Sequence, residues 1–392
     1  MNFTDFNNST IHIFSINRGN FTANNCNFYS NQVERVLYGF YSGIKFNNSR
    51  FLGNSNNTGA IEMNRGELII HNSSFENFTA DMGAMINYKG DRFELVNSTF
   101  INGYSISGGA IIAKYFPIQS TSSTFIPTEP ILIKDCIFAN LSCDNDSGAI
   151  HLDLDSASRH IPKIMNIEES NFTDCSSKYG GSISILGGNL NIINSNFINS
   201  TASFEGGAIY SSWTNLTISK SNFTNNNATK NAGAIYFDKG KLTINESNFI
   251  GNKILQESAN AANTIYAHDV SVEFSNSTFN NGEISVYADF ASDSKIENVE
   301  KKDDIFLMDN HNYIVSVENK GIKLNFTKNE IIVDTLPSKF DARDWGWTTP
   351  GKVQGDNDDC WAFATIASIE TAFSNQLESP TTYHKTMPKN FN

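Results

Sequence analysis

The chain has 392 residues, a formal net charge of −13 at pH 7 and five cysteines. The negative charge argues against nucleic acid and anionic membrane surfaces as partners. No apolar run approaches the ~20 residues that a membrane-spanning helix needs, so no membrane span is predicted. The cysteines are too few for a disulfide framework.

Two short phrases alternate through roughly the first 290 residues. A phrase of the form Ser-x-Phe, such as Ser195-Asn196-Phe197, is followed by a phrase such as Gly206-Gly207-Ala208-Ile209. Most steps between successive marker phenylalanines are 23 to 26 residues long. A fixed period of this length is the signature of a repeat architecture. The marker phenylalanines are Phe28, Phe51, Phe75, Phe100, Phe138, Phe172, Phe197, Phe223, Phe249 and Phe279.

The repeat predicts a right-handed parallel β-helix (a solenoid), and a mainly β fold class. Residues two apart in a strand share a face, so the small residue and the phenylalanine of Ser-x-Phe point the same way, inward. Each unit also carries a Gly-Ala-Ile strand and a strand of alternating apolar residues, such as Leu190-Asn191-Ile192. Three strands and three turns in ~25 residues is the size of one coil, and coils ~4.8 Å apart would stack phenylalanine on phenylalanine.

The cysteines of the repeat have structural interpretations. Cys26 and Cys136 occupy the small inward position that serine holds elsewhere, which predicts that they pack in the core. Cys143 and Cys175 follow their phenylalanines on neighbouring coils, so a disulfide between them is a further hypothesis.

Asn-x-Ser/Thr sequences recur in the repeat. They fit surface glycosylation, and equally the Asn, Ser and Thr that turns of a β-helix use, which is the interpretation we favour. Examples begin at Asn72, Asn97, Asn140, Asn199, Asn215, Asn227 and Asn276.

The phrases Phe-x-x-Asn (Phe223 to Asn226) and Gly-Gly-Ala-Ile (108 to 111 and 206 to 209) resemble the repeats of polymorphic outer membrane proteins. They are also similar to β-helical adhesin-like surface proteins of methanogenic archaea. The resemblance covers roughly residues 1 to 290. It implies an extracellular or cell-surface location and a rigid or adhesive role, with contacts to cell-wall or host glycans.

Two longer steps between phenylalanines mark insertions. The first, about 112 to 132, is rich in Pro, Ser and Thr and is predicted to be a loop. Near the second, an acidic cluster suggests the alternative of a β-helical polysaccharide lyase or hydrolase, with or without Ca²⁺. The simpler interpretation is a solvated strand and a polar loop. The cluster consists of Asp144, Asp146, His151, Asp153, Asp155, Arg159 and His160.

Residues 291–335 are predicted to form a small β linker or cap. Tyr313–Val317 and Ile322–Phe326 flank Glu318-Asn319-Lys320-Gly321, a pattern typical of a β-hairpin.

The segment 336–392 has a different sequence character. It contains Leu336-Pro337-Ser338-Lys339-Phe340-Asp341, then Gln354, then Cys360-Trp361-Ala362-Phe363-Ala364. Apolar residues after Cys360 recur at helical spacing, which places the thiol in the first turn of a helix, where backbone N–H groups favour a thiolate. The order and spacing strongly resemble the start of the mature domain of papain-family cysteine peptidases, an α+β fold.

The resemblance implies that Cys360 is the nucleophile and that Gln354 helps to hold the oxyanion. Asn357-Asp358-Asp359 stand where the family usually has Cys-Gly-Ser, so the family's first disulfide cysteine is absent. The family's His and Asn are expected ~130–150 residues beyond the nucleophile. His384 is too near, so we expect the chain to be truncated at its C-terminal end and to have no peptidase activity alone. We also expect natural sequence to be missing upstream, because Met1-Asn2-Phe3 already reads as a repeat and a first coil without a polar cap would expose strand edges.

The sequence therefore predicts three parts: a β-helix (1–290), a β linker (291–335) and a partial papain-like domain (336–392). The predicted function is an adhesin-like β-helix carrying a cysteine peptidase that cuts external protein or peptide, with no cofactor and no metal. The alternatives are a structural adhesin with an inactive peptidase remnant, and the β-helical polysaccharide lyase or hydrolase.

Overall fold

The computed structural model describes residues 12–29, 34–54, 59–90, 92–115, 131–153, 164–256 and 262–280, and the backbone of short strands elsewhere. The chain divides into two units, Met1–Asn329 and Glu330–Asn392. The second unit lies wholly outside the described residues. The described part consists of strands and turns without an α-helix, and it accordingly has no helix that could cross a membrane.

The first unit is a right-handed parallel β-helix of about nine turns, which confirms this part of the predicted fold class. One sheet holds the Ser-x-Phe strands, each paired in parallel with the next coil in identical register, as in Phe172 opposite Phe197. These strands are Asn2–Phe3, Asn27–Tyr29, Arg50–Leu52, Ser74–Glu76, Thr99–Ser107, Ile137–Cys143, Asn171–Thr173, Asn196–Ile198, Asn222–Thr224, Asn248–Ile250 and Thr278–Asn280.

Beside this path the same sheet has short strands that the sequence did not predict. They lie between the phenylalanine and the Gly-Ala corner of a coil. They pair with one another or, for Thr79–Met82 and Ser176–Tyr179, with the later part of Thr99–Ser107 and Ile137–Cys143. Their bounds are Thr79–Met82, Ser176–Tyr179, Thr201–Glu205, Asn227–Ala228 and Lys253–Ile254.

The second sheet holds the Gly-Ala-Ile strands and the alternating strands. In five coils the two strands are continuous, so the prediction of three separate strands per coil is wrong there. The continuous strands are Arg35–Asn47, Gly59–His71, Ile209–Ser219, Ile235–Asn245 and Ile265–Ser275. Elsewhere they are separate: His12–Asn17, Asn20–Asn24, Ile86–Gly90, Arg92–Val96, Ile111–Tyr115, Ile131–Lys134, Ile150–Asp153, Ile164–Glu168, Ile183–Leu186, Asn189–Ile193, Val286–Asp289, Lys295–Glu297 and Ile305–Met308.

Three details refine the predicted organisation. The strand Ile111–Tyr115 runs into the first predicted loop, where Gln119–Ser120 and Ser123–Thr124 also pair antiparallel. The second sheet continues in parallel pairing as far as Ile305–Met308, beyond the predicted end of the repeat at residue 290. In the predicted linker, Ile314–Ser316 pairs antiparallel with Asn325–Thr327, as a hairpin would.

The marker phenylalanines form one buried column. All ten are fully buried. The nine successive pairs from Phe28 to Phe279 have ring centroids 4.4 to 5.0 Å apart and near-parallel rings. Burial of each ring contributes about 1.5–3 kcal/mol, so this column is a major part of the core.

The small inward residue of Ser-x-Phe is buried as predicted at every position from Ser49 to Ser277, whereas Cys26 is half-buried against the core. This residue also connects the coils. Ser195 Oγ donates to the carbonyl oxygen of Ile193 at 2.9 Å and accepts the backbone N–H of Ser170, one coil earlier, at 3.2 Å. The preceding residue, Asn194, has a φ of 50°. Asn tolerates this left-handed conformation better than most residues, which explains Asn-Ser at these turns.

The position three residues after the phenylalanine changes along the solenoid. Its fully buried examples include Phe78, Leu141, Asn226 and Asn252, and Asn also stands there in the first coils, at Asn31 and Asn54. Asn226 Nδ2 donates to the carbonyl oxygen of Phe197 at 3.0 Å, and Asn252 Oδ1 accepts from Asn226 Nδ2 at 2.9 Å. The buried amides are therefore satisfied by the neighbouring coil, as burial of polar groups requires.

Candidate functional site

The acidic cluster near the second insertion forms contacts between coils. Asp144 Oδ2 accepts the hydroxyl of Tyr104 at 2.7 Å, and Asp146 Oδ2 accepts Ser107 Oγ at 2.5 Å. Both partners belong to the preceding coil. These two carboxylates are thus already engaged in holding neighbouring turns of the chain together.

His151 and Asp153 follow the same pattern. His151 is buried, its Nδ1 lies 2.6 Å from Ser184 Oγ, and burial lowers its pKa. Asp153 Oδ2 lies 3.5 Å from Lys114 Nζ. Among the residues that the structure describes, no group of three His, Cys, Asp or Glu side chains could hold a metal ion. Asp155, Arg159 and His160 lie outside the described residues.

The predicted peptidase residues, Cys360 and Gln354, also lie outside the described residues. The hypothetical disulfide is not formed, since Cys143 and Cys175 are both free. Ser142 pairs with Ser176, so the two cysteines occupy different positions along their strands. Cys175 is fully buried, and burial raises the pKa of its thiol to about 12.

Of the seven Asn-x-Ser/Thr asparagines named above, six are exposed and Asn227 is half-buried. Their amides take part in ladders between coils: Asn97 Nδ2 donates to Asn72 Oδ1 at 2.7 Å, and Asn215 Nδ2 donates to Asn189 Oδ1 at 2.9 Å. Five of the seven have the positive φ of turn residues, as favoured from the sequence: Asn72, Asn97, Asn140, Asn199 and Asn276. Asn215 and Asn227 lie within strands.

A different surface brings together aromatic and ionisable side chains. We call it the tyrosine groove. In the Gly-Ala-Ile-Tyr phrase the isoleucine is buried and the tyrosine faces outward. Tyr210, Tyr236 and Tyr266 stack with centroid separations of 5.2 and 5.4 Å. The groove consists of Tyr179, Phe204, Glu205, Tyr210, Lys230, Tyr236, Asp238 and Tyr266.

The groove lies at the corner made by Gly206 and Gly207. Gly207 has no room for a side chain, because an added Cβ would lie 1.9 Å from the carbonyl oxygen of Gly233. Tyr179 contacts Phe204, which precedes the corner, at 5.4 Å, and Tyr210, which follows it, at 5.2 Å. Because outward side chains on both sides of the corner meet, the corner is concave and runs along the stack of coils.

Charged groups line this concave corner. Glu205 Oε1 accepts Asn231 Nδ2 at 3.1 Å, and burial raises the pKa of this carboxyl. Lys230 Nζ lies 3.8 Å from the ring centroid of Phe204. Asp238 Oδ2 accepts Ser212 Oγ at 3.2 Å. The groove therefore offers acceptors and donors beside aromatic rings.

The hydroxyls of Tyr210 and Tyr236 stay protonated through the physiological range. Burial, reinforced by the charges of Glu205 and Asp238, raises the pKa of Tyr210 to about 12, and the pKa of Tyr236 is raised by the same causes. Each hydroxyl is therefore both a donor and an acceptor of hydrogen bonds.

The fold and this surface define the class of protein: a right-handed parallel β-helix with an outward aromatic groove on its later coils. A scan against protein families finds no family that matches the chain, and searches of curated proteins and of solved structures also find no match.

Sequence reasoning did not single out the groove. The repeated tyrosine was visible in the phrase Gly-Ala-Ile-Tyr at 207–210 and 233–236. Period-two alternation places a residue outward when it follows an inward isoleucine, and that signal identifies the tyrosines. Glu205 and Tyr179 carry no such signal, because the corner angle brings them to the tyrosines.

Proposed function

We propose that this chain is an extracellular or cell-surface β-helical protein, adhesin-like in its repeat, that carries a papain-like cysteine peptidase segment at 336–392. The observation that supports the scaffold role is the unbroken column of nine stacked phenylalanine pairs. Each coil is bonded to the next along both sheets. A solenoid of this kind is a rigid spacer with a long side surface.

The peptidase part of the proposal rests on the Gln354 and Cys360 motif. The Cys360 thiolate would attack the carbonyl carbon of a peptide bond in external protein, forming a tetrahedral oxyanion. The side-chain amide of Gln354 and the backbone N–H of Cys360 would stabilise that oxyanion. Collapse of the intermediate would break the C–N bond and leave a thioester, and the leaving amine would take its proton from the imidazolium of the His that the resemblance places ~130–150 residues beyond Cys360. Water would then hydrolyse the thioester to a carboxylic acid and restore the thiol.

The alternative of a polysaccharide lyase or hydrolase at Asp144–Asp155 gains no support from the described residues. Asp146 and His151 are bonded to Ser107 and Ser184, and Asp153 is close to Lys114. Their side chains therefore hold coils together rather than face a common ligand space. A structural adhesin with an inactive remnant stands as the alternative to the peptidase.

The peptidase proposal can be tested by the pH dependence of cysteine alkylation. The chain provides its own controls, because Cys136 and Cys175 are buried and Cys26 is half-buried. We expect iodoacetamide to modify Cys360 at pH 6, where an ordinary thiol with a pKa of ~8.5 reacts slowly. Peptide mapping by mass spectrometry would give the rate at each cysteine.

Two results contradict the peptidase proposal and favour the structural adhesin. One is a Cys360 rate that rises only above pH 8, as expected of an ordinary thiol with a pKa of ~8.5. The other is a rate at pH 6 that persists after the chain is unfolded in urea, since a folded helix start is the proposed cause of activation.

A further inference from the structure

We infer that the tyrosine groove is a binding site for an uncharged linear polysaccharide, which lies along the stack of coils with about one sugar residue to each coil. The inference rests on the surface role proposed above for the β-helix, and it is independent of the peptidase segment.

The tyrosines of the groove repeat at a distance that suits a linear polysaccharide. The groove presents one tyrosine for each coil, with ring centroids 5.2 and 5.4 Å apart. This spacing is close to the length of one hexose in an extended β-linked chain. A linear polysaccharide can therefore repeat the same contact on successive coils, which is how weak single contacts add up along a ligand.

The stacked tyrosine rings limit the kind of contact that a ligand can make. Tyr210 and Tyr236 are stacked with an interplanar angle of 1°, so each covers a face of the other. The column therefore presents ring edges and hydroxyl groups outward. A ligand rich in hydroxyl groups matches this pattern, whereas an aromatic or aliphatic peptide side chain would need an open ring face or an apolar pocket.

The polar groups at the corner suit a ligand that carries many hydroxyl groups. The Glu205 carboxylate and the Asn231 amide lie together, and Lys230 lies against Phe204. Such a mixture of acceptors, donors and aromatic surface in a concave site fixes the orientation of a polyol. Two carboxylates, Glu205 and Asp238, together with the net charge of −13, disfavour an anionic polysaccharide.

The β-helix does not need tyrosines at this register position. The strand register aligns Tyr210 with Ser184, and that column continues through His151, Ile112 and Asn87 to Glu62. On these earlier coils Ser184, His151, Ile112 and Asn87 are buried and differ in chemistry, so the register is kept without a tyrosine at this position. The run of tyrosines is therefore confined to the later coils, and a ligand explains it.

The test is titration calorimetry of the full chain with two neutral hexasaccharides, cellohexaose and chitohexaose, and with hexagalacturonate as the anionic comparison. We expect at least one neutral probe to bind more tightly than hexagalacturonate. Tyr236→Ala should weaken that binding at least tenfold. Tyr236→Phe should weaken that binding several-fold. Because this variant keeps the stacked ring, its decrease in affinity measures the contribution of the hydroxyl group.

Tyr104→Ala is the matched control, because it removes an exposed tyrosine outside the groove and should leave the affinity unchanged. The inference is overturned if neither neutral probe binds, if hexagalacturonate binds more tightly, or if Tyr236→Ala binds as well as the wild type with an unchanged circular dichroism spectrum. Cys360→Ala should bind the glycan normally, so failure here and failure of the peptidase proposal are distinguishable.

Discussion

The protein has two aromatic columns, one inside the β-helix and one outside. The inner column of phenylalanines spans every coil from Phe28 to Phe279 and is fully buried. The outer column contains Tyr210, Tyr236 and Tyr266, which are half-buried. Both repeat with the coils and both stack, yet only the inner one is continuous.

The difference separates what the fold requires from what it permits. A gap in the inner column would leave a cavity between two coils, so every coil must supply a large ring there. On earlier coils the register position of the tyrosines holds Ser184, His151 and Ile112, which are buried, and the register is kept. An outward run of one residue type is therefore informative about binding, whereas the inward run is informative about folding.

The largest expected effect is in the inner column. Phe197 lies 4.7 Å from both Phe172 and Phe223, between ring centroids. Phe197→Ala should lower the free energy of unfolding by about 3–5 kcal/mol through the cavity it leaves. Tyr236→Ala should lower it by about 1 kcal/mol or less. Urea unfolding followed by circular dichroism compares them, and equal losses would contradict the distinction.

The next effect compares two asparagine ladders. Asn226 is buried, and its amide bonds Phe197 and Asn252. Asn226→Ala should lower the free energy of unfolding by about 1–3 kcal/mol, because it leaves buried backbone groups unsatisfied. Asn222 bonds Asn196 at 2.9 Å on the outer face of the same sheet. Asn222→Ala should stay within about 0.5 kcal/mol of the wild type in the same urea experiment.

A smaller effect is expected in the serine ladder. Ser195→Ala removes the acceptor for the Ser170 N–H and should lower the free energy of unfolding by about 1 kcal/mol. Ser195→Cys should lose less, because Cys136 occupies the equivalent place and donates to the carbonyl oxygen of Lys134 at 3.2 Å. Thermal unfolding of the two variants would rank them, and a Cys variant less stable than the Ala variant would contradict this account.

The smallest expected effect is the pH dependence that His151 gives to the free energy of unfolding. Burial lowers the pKa of His151 below its ordinary value of 6.5, so the unfolded chain binds the proton more tightly. The contribution of His151 is therefore fully present above pH 6.5 and is lost as pH falls towards its pKa in the folded chain. His151→Ser, which copies Ser184 in the next coil, should lose less stability between pH 7.5 and 5.5 than the wild type. A wild-type loss no larger than that of the variant would contradict the buried neutral imidazole.

The acidic cluster shows where sequence reasoning reached its limit. Alternation placed His151 and Asp153 on one face, which suggested a shared site. In the structure His151 is bonded to Ser184 and Asp153 lies near Lys114. These partners are about 33 and 39 residues away along the chain. The register between coils selects them, and local alternation carries no such information.

The sequence by itself determined the β-helix, its inward phenylalanines and small residues, and its asparagine turns. These features follow from a period of two within strands and of about 25 between coils, both of which are written along the chain. The tertiary structure decided the short strands, the buried Asn226 ladder and the groove in which Tyr179 and Glu205 meet Tyr210. Those depend on the angle of the Gly206-Gly207 corner and on which side chains of neighbouring coils come into contact there.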